Sequence, residues 1–350
     1  MGSLAVVDTG RTSGYGVAFI DWLACACAGA DQRAARAARA CGDGLLGEVA
    51  FAATAGHPAL YDGGWHPTTV CGPIGAAVTA ACLLGLSPAQ RRTAIAISVL
   101  RAGGTRGAFG SDGKAIQVGL AAAAGVQAAL LARGGASVDP AAIHGPLGFI
   151  RVMGVGWPAA GVADAPEGSG ALAIERNWIK LYPSCLGTHS PIESAVHARD
   201  AGYQLGEEEL EVRVHPVARQ AAHLDAVTDG LSAKFSIPYC VARTLIHGPP
   251  GVRDFDGIDD AARDGASHVT VQVDPSLPEF GSVLTVAGRE LARVPCPRGA
   301  PERPIAAADL QDKITDLAGD RLESVLSDPD ALAGLALDAA GLRAGIRITR

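Results

Sequence analysis

Residues 67 to 86 read PTTVCGPIGAAVTAACLLGL, and residues 113 to 135 read GKAIQVGLAAAAGVQAALLARGG. Both runs consist mostly of Ala, Gly and other small apolar residues. Side chains this short cannot fill a gap between elements, so the helices must approach almost backbone to backbone. That predicts a tight all-helical body in the first 150 residues or so. The punctuation fits. Pro67 suits a first helical position, and Gly85 followed by Ser87-Pro88 ends the run. SPAQRRTAIAISVL then opens a second helix with Ser87 as its N-cap and Pro88 just inside. Gly134-Gly135 closes the third. An earlier stretch, about residues 16 to 41, also reads as helix, with a polar second half.

Around residues 154 to 170 (GVGWPAAGVADAPEGSG) Pro, Gly and Ala take over, which suits a domain boundary. Strand-like alternation follows at 209 to 218 (ELEVRVHPVA), 268 to 274 (HVTVQVD) and 282 to 291 (SVLTVAGREL). Helical segments lie between the strands (SPIESAVHARDAG and IPYCVARTLIHG), and the chain turns helical again from about 304. A length of 350 residues, 48% of them hydrophobic, is enough for two domains. The expected class is therefore mainly α with an α+β part.

Several functions are disfavoured. The net charge is −7 and no basic tract or aromatic platform occurs, so nucleic acid is not an expected partner. An acidic chain that binds an anion must concentrate its positive charge locally. The eight cysteines lack a zinc-like spacing and sit mostly among apolar residues, which fits a reducing, cytoplasmic setting. The opening MGSLAVVDTGRTSGYG is not expected to be a secretory signal. The apolar stretches are interrupted by Gly, Pro or charge before about 18 residues, so no membrane span is expected. HExxH, GxGxxG at a βαβ start and GxSxG are all absent, which disfavours metal, nucleotide and esterase chemistry.

The basic residues are more telling. The chain has 25 Arg and only four Lys, at 114, 180, 234 and 313. A lysine kept in such a background points to a need for its compact ammonium or its titration. Lys114 (FGSDGKAIQ) lies at a helix start, where a cation opposes the macrodipole. It is either a solvated loop lysine or a partner for an anion held there. In NWIKLYPSCLGTHSPIE, Lys180 and His189 flank a Tyr-Pro turn before a helix start. That arrangement is either a capped helix with a snorkelling lysine or a carboxylate site. Lys234 also has an unusual context (LSAKFSIPYC), whereas Lys313 reads as part of a polar helix face. His66, held between Trp65 and Pro67, is a structural imidazole or a base with a near-neutral pKa. Tyr239 is a core residue or a proton donor.

In this order, GWHPTTVCGPIGAA, LGLSPAQ with AIAISV, the Lys114 helix, NWIKLYPSCLGTH, AKFSIPYCVARTLIHG, HVTVQVD and PIAAADLQDKI resemble the MmgE/PrpD family. The family includes 2-methylcitrate dehydratase, cis-aconitate decarboxylase and an iminodisuccinate epimerase. The resemblance implies a helical domain built from both chain ends, with an α+β lid inserted between them. On this chain that divides into 1–176, 177–302 and a returning tail at 303–350. It also implies a homodimer, a small polycarboxylate substrate, and a site needing neither metal nor organic cofactor. The expected reaction is that of a lyase, most simply a dehydratase, with decarboxylation and epimerisation as variants of the same proton chemistry. The positions matching the family's site are His66, Lys114 and Tyr239 as catalytic residues, with Lys180 and His189 binding substrate.

The chain departs from the family twice. An early HALDFDD-like stretch that brings an Asp and a His to the site is missing near residue 41. The family's Lys-Pro-Leu-His becomes Lys114-Ala115-Ile116-Gln117. Both changes remove site groups, which allows for a homologue that binds carboxylates without turning them over.

Overall fold

The computed structural model describes residues 59–153 and 178–318. These stretches fall into two compact units, the first helical and the second carrying a sheet. The expected helix at 16 to 41, the missing stretch near 41, the boundary at 154 to 170 and the tail beyond 318 lie outside the described residues.

Three helices dominate the first unit: α1 (Pro67–Leu83), α2 (Pro88–Ser98) and α3 (Gly113–Arg133). Pro67 opens α1, and Gly85 takes a φ of +64° just after it. Ser87 caps α2 reciprocally. Its hydroxyl accepts from the Gln90 N–H at 3.3 Å, and its own N–H donates to Gln90 Oε1 at 3.0 Å. α3 ends at Gly134, and Gly135 takes a φ of +91°.

The shared core is nearly all alanine: Ala77, Ala81, Ala94, Ala128, Ala129 and Ala132, with Leu86 and Ile97. The close approach is quantitative at Gly125. A Cβ there would lie 2.4 Å from the Pro73 carbonyl oxygen and 2.5 Å from Ala76 Cβ. α3 thus packs against α1 because Gly125 has no side chain. The internal glycines do not break α3, which runs unbroken to Gly134-Gly135 as expected. By length and composition alone α3 could cross a membrane. Its packing against α1 and α2 also suits a core helix.

The second unit holds a four-stranded sheet in the order β2-β1-β3-β4. β1 (Leu210–Val214) pairs parallel with β2 (Val269–Val273) and antiparallel with β3 (Ser282–Val286). β3 in turn pairs antiparallel with β4 (Arg289–Val294). Two sequence expectations need correction here. The segment 282 to 291 is not one strand: Ala287 and Gly288 take φ of +47° and +75°, which turns the chain back in a two-residue hairpin. The segment 209 to 218 is likewise only half strand. Pro216 starts a short helix, Pro216–Ala221, and His215 Nδ1 caps it by accepting from the Val217 N–H at 3.2 Å.

Helix α4 (His189–Asp200) packs on β3 and β4, and α5 (Ile237–His247) packs on β2 and on α4. α6 (Asp260–Ala266) lies against α5. The last described helix, α7 (Ala307–Ala318), belongs to this sheet-bearing unit. It buries Leu310 and Ile314, and Asp316 accepts from the Val252 N–H at 3.1 Å. The described residues are thus helical with a small mixed sheet, as the expected class requires.

Candidate functional site

The expected site residues divide between the two units. His66 and Lys114 lie in the helical unit, and Lys180, His189 and Tyr239 lie in the sheet-bearing one.

His66 precedes α1 and is 5% exposed. Its backbone N–H donates to the Gly104 carbonyl at 3.0 Å, and an isolated bridge joins Trp65 to Thr105. The loop around 104 is thereby pinned to the start of α1. Phe109 sets its ring edge-on to the imidazole, with centroids 5.0 Å apart. The Lys114 ammonium lies 4.5 Å from the centre of that same phenyl ring. From α3, Gln117 reaches back to His66: its Nε2 is 2.8 Å from the imidazole Nδ1. His66 and Lys114 therefore gather around Phe109, with Gln117 holding the imidazole. Burial, then the Lys114 charge, lowers the His66 pKa to about 4.

Gly104 makes this arrangement possible. Its φ is +103°, and a Cβ there would lie 2.2 Å from Thr69 Oγ1 and 2.7 Å from Gln117 Oε1. Thr69 holds its own place by donating to the His66 carbonyl at 2.9 Å.

In the second unit the YPSC turn is tied down from below. The Cys185 N–H donates to the Lys234 carbonyl at 2.8 Å, and the Ser184 and Thr188 hydroxyls meet at 2.8 Å. Lys180, exposed, donates to the Ser184 carbonyl at 3.3 Å. His189, the first residue of α4, has no exposed surface. Neither of its ring nitrogens reaches hydrogen-bonding geometry with a described residue. Burial and then the Lys180 charge hold its pKa well below the usual histidine range. The Ser184 carbonyl, the Lys313 charge and the Tyr182 carbonyl follow, the carbonyls opposing the shift and Lys313 adding to it. The Tyr182 ring stands edge-on to His189, with centroids 5.2 Å apart.

Tyr239 packs within an apolar cluster that includes Tyr182, Ile192, Cys240 and Phe255. Its hydroxyl accepts from the Asp259 N–H at 3.0 Å. The structure gives it the core position that is the plainer reading of a buried helical tyrosine.

Three participants escape a reading of the sequence alone. Gln117 looks like a lost histidine and turns out to be the partner of His66. Tyr182 looks like part of a turn and turns out to set its ring edge-on to His189. Lys313 looks solvated, yet its charge reaches His189. Asp309, one helical turn earlier on α7, is bonded to Arg298 at 2.9 Å, and Arg298 donates to the Tyr182 hydroxyl at 3.4 Å. The i, i+4 spacing puts Lys313 on the same helix face as Asp309. Three of the four lysines, Lys114, Lys180 and Lys313, thus bring charge to bear on the candidate site residues, and the fourth, Lys234, contributes its backbone carbonyl.

Comparison with known proteins gives the family of the chain. The MmgE/PrpD N-terminal domain matches residues 47–160, and the MmgE/PrpD C-terminal domain matches residues 182–338. The chain belongs to the MmgE/PrpD family. The two matched spans contain His66 and Lys114 in the first and Tyr182, His189, Tyr239 and Lys313 in the second. Human cis-aconitate decarboxylase is 30% identical over 135 residues, or 39% of this chain. That match spans only 28% of the human enzyme's own length.

Proposed function

We propose that this MmgE/PrpD chain is a lyase acting on a small di- or tricarboxylate by moving a proton next to a carboxylate. The observation that carries the reading is His189. A fully buried imidazole whose ring nitrogens reach hydrogen-bonding geometry with no described residue, under the charges of Lys180 and Lys313, suits an anionic partner. In an acidic chain, lysine charge concentrated in this way suits a carboxylate.

A carbanion next to a carboxylate is costly, and donors placed where charge develops lower that cost. Lys114 and Lys180 are suited to this. In a dehydration, a base removes the proton on carbon, the adjacent C–O bond breaks, and hydroxide leaves with a proton as water. In a decarboxylation, a C–C bond breaks to release CO2, and the carbon takes up a proton. A 2-methylcitrate dehydratase-like hydro-lyase is the first reading. The partial likeness to human cis-aconitate decarboxylase supports decarboxylation as the second. The reading extends to a helical domain built from both chain ends with an α+β lid, to a cytoplasmic homodimer, and to a site working without cofactor.

The test is product formation from 2-methylcitrate, citrate, cis-aconitate and iminodisuccinate, followed by NMR. Lys114→Gln and Lys180→Gln should each lower turnover by about 10²–10³, the usual effect of removing one charge-stabilising donor. Binding of these acids without any product would replace the lyase with a carboxylate-binding homologue.

A further inference from the structure

We infer that Gln117 fixes the tautomer of His66, so that the imidazole serves as a neutral hydrogen-bond donor through Nε2–H and not as a base. The Gln117 amide is oriented by one backbone unit. The Thr105 N–H can only donate, and it meets Gln117 Oε1 at 3.1 Å. The Thr105 carbonyl can only accept, and it meets Gln117 Nε2 at 3.2 Å. The reversed amide would set N–H against N–H and oxygen against oxygen. The remaining hydrogen on Nε2 points to His66 Nδ1, at 2.8 Å. That nitrogen must then be the acceptor, and a neutral imidazole that accepts at Nδ1 carries its proton on Nε2.

The contacts seen at the ring among the described residues favour a single proton. An amide hydrogen already occupies Nδ1, and the Lys114 ammonium lies over the phenyl ring that His66 touches. Burial and this charge both favour the neutral ring, as the lowered pKa reflects. A histidine at position 117 could exchange protons with His66; an amide cannot. Gln117 is thus a positioning residue. A neutral imidazole N–H and an ammonium gathered around the Phe109 ring supply two donors for a carboxylate group as negative charge builds on it. This consequence rests on the proposed lyase function, and it moves the base role read for His66 in the sequence to another group.

The assignment itself can be tested without substrate. The full-length protein is labelled with ¹⁵N at the histidine rings, and the His66 signals are identified by their loss in His66→Asn. At neutral pH the expected spectrum has a pyridine-type Nδ1 and a protonated, pyrrole-type Nε2. In Gln117→Glu the carboxylate can only accept, so the proton should move to Nδ1. A wild-type ring protonated at Nδ1, or at both nitrogens, would overturn the inference. So would a folded Gln117→Glu protein with an unchanged His66 ring. If that variant does not fold, the wild-type spectrum decides alone. A protein that turns over no carboxylate yet shows the Nε2–H ring would sink the lyase proposal and leave this assignment standing.

Discussion

His66 was visible in the sequence as a clamped imidazole, but its protonation state was not. Trp65 and Pro67 are neighbours along the chain, whereas Gln117, Phe109 and Lys114 reach it only through the fold. The same holds for His189, whose Tyr-Pro turn is local and whose Lys313 is 124 positions away by number (313 − 189). Burial of His66 also has a consequence for stability. Its folded pKa, about 4, lies below the ordinary 6.5, so the unfolded chain takes up the proton first. The contribution is therefore present above about pH 6.5 and is lost as pH falls toward 4. At ~1.36 kcal/mol per unit the loss approaches about 3 kcal/mol. His189 acts in the same direction. Urea unfolding of wild type and His66→Asn at pH 7 and pH 4.5 checks this. The variant should lose less stability than wild type over that interval, and parallel losses would remove His66 as a contributor.

At the scale of elements, the sequence was legible where the signal is local. Ser87-Pro88 and Gly134-Gly135 mark helix ends by backbone geometry that neighbours alone dictate. The strand reading failed at Ala287-Gly288, because alanine is rare in a left-handed turn and the alternation runs straight through it. It failed again at His215-Pro216, where a cap ended a strand that the alternation prolonged. The small-residue packing was legible as a type, but Gly125 as the closest point was not. Gly125→Ala should destabilise the helical unit by about 1–3 kcal/mol through overpacking, read as a lower denaturation midpoint. An unchanged midpoint would mean that α1 and α3 separate freely.

Glu193, on α4 one turn after His189, is 2% exposed. It accepts from the Arg298 N–H at 2.6 Å and lies 3.1 Å from the Arg303 guanidinium. Arg298 also bonds to Asp309, so the Glu193 carboxylate helps link α4 to α7. Glu193→Ala should cost about 1.5–3 kcal/mol, the usual value of hydrogen bonds to a charged group, measured by equilibrium unfolding. A neutral effect would show that Glu193 adds nothing to the hold on α7, leaving it to Leu310, Ile314 and the Asp309 and Asp316 bonds.

At the scale of the whole molecule, the family was readable because separated motifs agree in order, and the family domains match the same stretches. The reaction is a finer matter, since dehydration, decarboxylation and epimerisation all move a proton on or off a carbon next to a carboxylate. That shared step is also the central claim, and it can be observed before any product is named. The measurement is proton NMR of the purified, folded protein in D2O with 2-methylcitrate, citrate, cis-aconitate and iminodisuccinate in turn. The account predicts that deuterium enters a carbon next to a carboxylate in one of them, and that Lys180→Gln slows the entry. A folded protein that exchanges no proton with any of the four would contradict it.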